Sequence, residues 1–534
     1  MNVLTIALGA LVVLLGAYFV HGRRLERDFG IDPNRPTPAH TKADGIDHVA
    51  AYHWTVLFGH HFSSIAGAGP IVGPVIAVAL WGWAPALLWV VIGTIFLGGV
   101  HDFGALIVSV RHGGRSIADV AENLISRKAK IVFSLFVWLA LILVIAVFVV
   151  LCAKTFVVQP QIIIPSLGLI PVAILVGIGL YKLKINQTIT TIFGLASLVG
   201  LIFLGNRIPI NVGNQAMLIW SSVLLVYCYF ASITPVNILL QPRDYLSSFL
   251  LFAGLILGYV GFIVSHPRIN LPSFVAWKSS EGELWPMLFV TVACGAISGF
   301  HALIASGTTS KQIASEKEIR QIGYGAMIAE GLVAVMAILV VVTGFSSREA
   351  LVKVMGNSGV GPVGAFGQGY GEVTRAFLGG YGSSFAMLVL NAFILTTLDT
   401  ATRIGRYLSE ELFRIKNRHF STILVVVLSA ALALSGKWNK IWPIFGASNQ
   451  LVAALALVVI TSWMLAQKKK YRFIAVPAIF MLVTTMGALF LQLVQFLKEK
   501  NFLLMSIDLA LVVLALFMVS EAKGILFRKK NNSN

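Results

Sequence analysis

His60 and His61 stand side by side in the run Phe58 to Pro74, which reads Phe-Gly-His-His-Phe-Ser-Ser-Ile-Ala-Gly-Ala-Gly-Pro-Ile-Val-Gly-Pro. Histidine is the side chain whose unperturbed pKa lies nearest neutrality, so the pair can carry a proton or hold an anion. Adjacent positions on a helix point about 100° apart, and one of the two can equally serve as a plain hydrogen-bond partner to a neighbouring helix. Ser63 and Ser64, with Gly67, Gly69, Gly73, Pro70 and Pro74, crowd hydroxyls, bare backbone and helix breakers into the same stretch. Unwound there, the chain offers free N–H groups and a half-helix N-terminus, a setting that suits a carboxylate. Close helix packing through small residues is the other reading of the glycines.

Three further groups can do chemistry. The run Cys294 to Gln312 is dense in hydroxyls, and Ser306, Thr308, Thr309 and Ser310 are hard oxygen donors that suit an alkali cation, with Na+ placed at Thr308 and Thr309. Lys311 offers a fixed charge beside them, although a Ser/Thr-capped helix end with an interfacial lysine accounts for the same residues. Asp102 beside His101, Glu330, Asp399 and Asp508 are acids inside apolar runs, where a charge is costly and marks function by default. Asp399 and Arg403, one helical turn apart, predict either an ion pair along one helix or a proton relay. Asp508, Asn449 and Gln450 read as structural. The third group is Tyr227 to Tyr245, where Pro235 removes a backbone donor and predicts a kink flanked by Ser232, Thr234 and Asn237.

The elements that must position these groups are membrane spans. The 534 residues are 57% hydrophobic and 12% charged, with mean hydropathy +0.86. About fifteen apolar runs of spanning length follow one another, near 2–20, 48–80, 85–110, 131–152, 161–181, 187–205, 214–240, 246–265, 285–308, 321–345, 379–402, 420–436, 441–466, 473–496 and 502–520. Alternation from an external N-terminus puts 29 of the 40 Lys+Arg in internal loops, so the net charge of +18 is a positive-inside bias and not a nucleic-acid surface. It also predicts a cytoplasmic C-terminus. The first run lacks a basic leader and a small-residue cleavage site and reads as a retained span. Cys152, Cys228 and Cys294 show neither metal nor disulfide spacing. No H-E-x-x-H, G-x-S-x-G or Walker A run is present, which argues against an enzyme and against a cofactor.

The second run, 48–80, is too long for one straight crossing, and the seventh, 214–240, carries Pro235. Interrupted backbone inside a bilayer is tolerated only where protein or water surrounds it. Two interrupted segments five spans apart and opposite in direction point to a secondary transporter built from inverted repeats, with its site at their interface. The expected organisation is an N-terminal helix and linker (1–47), a first repeat (48–205), a second repeat (214–418) and four accessory helices (419–534).

Gly59-His60-His61-Phe62, Ile65-Ala66-Gly67-Ala68-Gly69-Pro70 and Gly73-Pro74 resemble the hallmark of the carbon starvation protein CstA family. Asp102 with Arg111 to Ser116, Ile233-Thr234-Pro235 running to Gln241-Pro242-Arg243-Asp244-Tyr245, Gly299-Phe300-His301, and Trp442-Pro443-Ile444-Phe445-Gly446 with Asn449-Gln450 carry the same resemblance across nearly the whole chain. It implies an all-α, polytopic transporter of the bacterial inner membrane with a five-plus-five LeuT-like core. Such a protein imports pyruvate or short peptides during carbon starvation, coupled to H+ or Na+. By that analogy His60, His61, Ser63, Ser64, Gly67, Gly69, Ser232, Thr234, Asn237 and His301 cradle the substrate. Ser306, Thr308 and Thr309 take the place where related transporters bind sodium, with Lys311, Asp399 and Glu330 completing the ion-coupling set. The expected partners are a small-molecule substrate, the coupling ion and the lipid bilayer. A membrane nutrient sensor and a channel are the competing readings, the latter predicting flux without ion coupling.

Overall fold

The computed structural model describes residues 2–44, 48–51, 53–235, 238–356, 360–436 and 438–531. It is a helical bundle, with one short two-stranded hairpin at 278–283. The N-terminal half runs α1 (Val3–Phe29), α2 (Pro38–Thr41), α3 (Trp54–Ile65), α4 (Gly69–Trp81), α5 (Trp83–Gly93), α6 (Gly99–Arg111), α7 (Ile117–Leu124), α8 (Arg127–Val158), α9 (Ile163–Gly177), α10 (Gln187–Arg207), α11 (Ala216–Ile233) and α12 (Leu240–Ser265). The C-terminal half runs α13 (Leu284–Val292), α14 (Gly299–Gly307), α15 (Gly325–Gly344), α16 (Arg348–Met355), α17 (Gly361–Leu378), α18 (Gly382–Leu412), α19 (Arg418–Ala433), α20 (Trp438–Ala466), α21 (Arg472–Lys498) and α22 (Phe502–Asn531). Among the described residues thirteen helical runs are long and apolar enough to cross a membrane, fourteen when α3 and α4 count as one bent span.

Placement follows from which faces are apolar. α8 is apolar all round and almost wholly buried, as expected of a central helix. α1, α10 and α21 keep exposed Val20, Phe203 and Phe490 on their outer faces, side chains suited to lipid and not to water. The run Gly361–Leu412 folds back on itself at Gly379–Tyr381, so the glycine-rich α17, absent from the expected runs, packs against α18. Across one end of the bundle, Ala51 N donates to Gln312 O at 2.9 Å and Lys42 Nζ to Gly113 O at 3.1 Å, which straps the α1–α3 linker over the ends of α6 and α14.

Two helices are interrupted inside the bundle. α3 ends at Ile65, α4 restarts at Gly69 with Pro70 in its first turn, and the halves meet at a 44° bend. Proline suits that position because its missing N–H has no partner to lose at a helix start. The other interruption lies between α13 and α14, where Ala293 takes φ +38° and ψ −108°, a positive-φ conformation that a non-glycine residue adopts only when its surroundings impose it. The two interruptions pack against each other. A Cβ on Gly73 would stand 2.4 Å from Thr291 O and one on Gly69 2.6 Å from Cys294 Sγ, so only glycine admits this approach of α4 to α13. The partner of the first break is therefore Ala293–Ser298, not the expected Ser232–Pro235. The latter is the joint between α11, which ends at Ile233, and α12, which starts at Leu240.

Candidate functional site

The paired breaks free backbone groups that side chains then satisfy. Asn449 Oδ1 accepts from Phe300 N at 2.9 Å, its Nδ2 donates to Ser298 Oγ at 3.0 Å, and Gln450 Nε2 donates to Phe289 O at 2.7 Å. Thr94 Oγ1 donates to Gly295 O at 3.1 Å. Asn449 and Gln450 thus act as interhelical hydrogen-bonding residues at the second break. Between the breaks lies a cavity of about 10 Å³ lined by Ile65, Gly67, Phe148, Cys294, Thr397 and Phe445. That is room for roughly one water.

Around this cavity the histidines diverge. His60 Nδ1 lies 3.2 Å from Asp244 Oδ2 on α12, and His61 Nδ1 lies 2.8 Å from Thr309 Oγ1 just past α14. His61 is fully buried and its Nε2 has no hydrogen-bond partner, nor do the hydroxyls of fully buried Ser63 and Ser64. Gly67 meets the Phe148 ring and Thr397 Oγ1, which a Cβ would approach to 2.7 and 2.9 Å.

A chain of ionisable side chains runs behind the second break. His101 Nδ1 is 2.7 Å from Asp102 Oδ1, and Asp102 Oδ2 is 2.8 Å from His301 Nδ1. His301 Nε2 stands 3.2 Å from Glu330 Oε2, within ion-pair distance but without hydrogen-bond alignment. All four side chains are fully buried. They join α6, α14 and α15, so the broken helix is tied by titratable groups to the two helices packed beside it. The sequence marks Asp102 beside His101 as a costly buried acid, but their partner His301 lies 199 residues on.

Other expectations are redistributed. Asp399 pairs with Arg243 of α12 at 2.5 Å, not with Arg403. Arg403 Nη2 instead donates to Ala231 O and Thr234 O at 2.7 and 2.5 Å, because the exposed carbonyls at the end of α11 attract a cation. Arg243, counted from the sequence as an internal loop charge, is 1% exposed within α12. Ser232 Oγ reaches Thr422 Oγ1 of α19 at 3.5 Å and Thr234 Oγ1 donates to Phe230 O, so neither hydroxyl is directed to the paired breaks. Asn237 lies outside the described residues. Ser306 Oγ donates to Ala302 O and accepts from Ile117 N, Thr308 Oγ1 donates to Ile304 O, and Thr309 Oγ1 meets His61. The three hydroxyls are committed to different partners. Lys311 is half-buried beyond them, its stem beside Gly114. Among the described residues no group of three His, Cys, Asp or Glu side chains is arranged to hold a metal ion.

The family model described as carbon starvation protein CstA matches residues 2–356 and 347–488. The chain belongs to the CstA family. Within that family it is 31% identical to the peptide transporter CstA of Bacillus subtilis, over 91% of this chain and 89% of that one. It is 29% identical to the pyruvate/proton symporter BtsT of Escherichia coli, over 92% and 82%. Among solved structures, the Eremococcus coleocola manganese transporter superposes with a TM-score of 0.55 at 11% identity, covering 90% of this chain and 99% of that one. MhsT in complex with L-phenylalanine does so with a TM-score of 0.50 at 13% identity, over 89% and 99%. At such identities the likeness is one of fold, and it makes this CstA-family chain an all-α membrane protein with the LeuT-like inverted-repeat core.

Proposed function

We propose that this chain is a proton-coupled, alternating-access importer of a small carboxylate, pyruvate or a short peptide, used under carbon starvation. The observation that carries the proton is the buried series His101, Asp102, His301 and Glu330. A proton added to or removed from it changes the charge between α6, α14 and α15, and so biases two arrangements of the broken helix against its neighbours. The dispersed partners of Ser306, Thr308 and Thr309 lend less support to sodium. The unpartnered Ser63, Ser64 and His61 at the first break, beside the N-terminus of α4, supply donors for a carboxylate. A cavity of about 10 Å³ is too small for any such cargo, so binding requires α3 and α4 to move.

Helix packing supports repeats that run from α3 to α12 and from α13 to α20, instead of 48–205 and 214–418. α3–α4 pairs with α13–α14, α8 crosses α18, α12 packs on α3 as α20 packs on α14, and α11 and α19 flank the crossing. In this arrangement α9–α10 and α17 are insertions, and α1, α21 and α22 are peripheral. The positive-inside bias supports an inner-membrane location with the N-terminus outside and the C-terminus in the cytoplasm.

Uptake into proteoliposomes tests the reading, with labelled pyruvate and di- and tripeptides offered under an imposed pH gradient or an imposed sodium gradient. Accumulation above the outside concentration, driven by inward protons alone, is expected. Flux that only dissipates a substrate gradient would make the protein a channel, and accumulation that follows sodium would move the coupling to the other ion.

A further inference from the structure

Arg243 has no part in the reading above, yet it is a cation 1% exposed in the protein interior. Its Nη1 meets Asp399 Oδ2 at 2.5 Å and also contacts the Tyr227 hydroxyl, which in turn donates to the same Asp399 oxygen at 2.8 Å. Its Nη2 donates to Thr396 Oγ1 at 3.1 Å and stands 4.0 Å from Asp244. The arginine and Asp399 do not form the two-bond fork that gives such pairs their strength. Asp399 engages through Oδ2 alone, and its Oδ1 is buried with no hydrogen-bond partner, as is Asp244 Oδ1. The guanidinium is thus held by half of an internal carboxylate.

Its surroundings connect it to the first break. Thr396 precedes Thr397, a lining residue of the cavity at Gly67. Asp244, the residue after Arg243, holds α3 through His60, one turn before Ser63 and Ser64. Arg403, occupied by the carbonyls at the end of α11, and the thiols of Cys152 and Cys228 complete the charged and titratable groups that face the cluster. The Asp244 carboxylate therefore lies between the Arg243 guanidinium and His60, so parting of the His60–Asp244 contact would uncover Arg243 on the α3 side.

We infer that Arg243 is the anchor for the carboxylate of the cargo, and that Asp399 is an internal stand-in which the cargo displaces, taking up one proton as it leaves the guanidinium. The inference rests on the carboxylate-import reading and adds a charged anchor to the first-break donors Ser63, Ser64 and His61. An incoming carboxylate presents two oxygens to a fork that Asp399 engages with one, so the exchange gains a hydrogen bond. An ionised Asp399 left buried without its arginine is costly, so displacement and protonation occur together. The only covalent change is formation of the Asp399 O–H bond. Its proton travels with the cargo, in addition to any carried by the His101–Glu330 series, and departs when the cargo leaves and the Arg243–Asp399 pair re-forms.

Calorimetric binding of pyruvate and of alanyl-alanine to the full-length purified protein, repeated in buffers of different ionisation enthalpy, counts the protons taken up. The wild type is expected to take up about one proton per cargo bound, the number a single displaced carboxylate requires. Asp399→Asn, which frees the guanidinium without a charge to neutralise, should bind without proton uptake and about tenfold more tightly. Arg243→Lys should lose about tenfold in affinity and Arg243→Gln more, since a lysine is a single point charge and a glutamine none. The R243Q/D399N double variant removes both charges together, which keeps a well-folded reference, and should bind as poorly as R243Q. Wild-type binding with R243Q within about twofold of it, or D399N retaining the wild-type proton count, overturns this inference alone. A wild type that binds neither probe overturns the carboxylate reading and this inference with it.

Discussion

Asp102 and His61 occupy different places in the chemistry although both are buried at the breaks. Asp102 accepts from two histidines on two helices, so losing its charge decouples His101 from His301 without opening a void. Asp102→Asn should lower proton-driven accumulation about a hundredfold, the scale on which removing one positioned proton-transfer group acts, while substrate exchange at equal pH on both sides persists. Loss of both activities together would assign Asp102 to folding instead. His61 has one partner, Thr309, and one free nitrogen. His61→Ala is expected to abolish accumulation in protein that still inserts in the membrane, and unchanged uptake would make it a packing residue. The residue types at these positions were legible in the sequence because an acid or histidine in an apolar run is conspicuous by cost alone. Their partners were not: His301 follows Asp102 by 199 positions, and Arg243, the partner of Asp399, falls between the expected spans 214–240 and 246–265.

Among the elements, the broken helices are held together by the absence of side chains. Gly73→Ala would drive a methyl into Thr291 O at 2.4 Å, with the Val292 backbone at 2.9 Å, and backbone atoms cannot rotate aside. It should destabilise the protein by about 1–3 kcal/mol, read as a lower melting temperature in detergent. Gly200→Ala on α10, where nothing lies within 4 Å, is the matched control and should be neutral or slightly stabilising. Equal effects at the two positions would show that α4 and α13 do not depend on that approach. The first break could be read locally, since Gly67, Gly69, Pro70, Gly73 and Pro74 cannot form a smooth helix. The second could not. Ala293 to Ser298 contains one glycine and no proline, and the positive φ of Ala293 sits where α4 and α20 close around it, the latter through Gly446 against Val290 O.

The whole molecule is closed at one end by Glu316, a fully buried carboxylate. Arg111 of α6 reaches it through Nε at 3.0 Å and Nη2 at 2.8 Å, Asp32 N donates to it at 3.0 Å, and Arg35 Nη1 lies 3.7 Å away. Arg111 also holds the carbonyls of Phe29 and Gly30. This one side chain therefore ties α1, α6 and the start of the α15 span. Glu316→Ala leaves the partly buried Arg111 guanidinium without its anion, a loss smaller than the ~3–5 kcal/mol seen when a fully buried pair is broken. The closed arrangement should give way first, seen as faster hydrogen exchange in α3 and the end of α14 with little change in α8. Uniform acceleration across the molecule would mean global destabilisation, and no acceleration would mean that Glu316 is not part of the closure. Composition and pattern alone determined that this chain crosses a membrane many times and that its helices are interrupted near His61. Those properties are set by solvation of each segment, which the segment carries with it. Only the tertiary structure decided which break faces which, that Asp399 belongs to Arg243, and that four titratable residues form one series. Those are distances between segments hundreds of residues apart, and they exist only once the helices have packed.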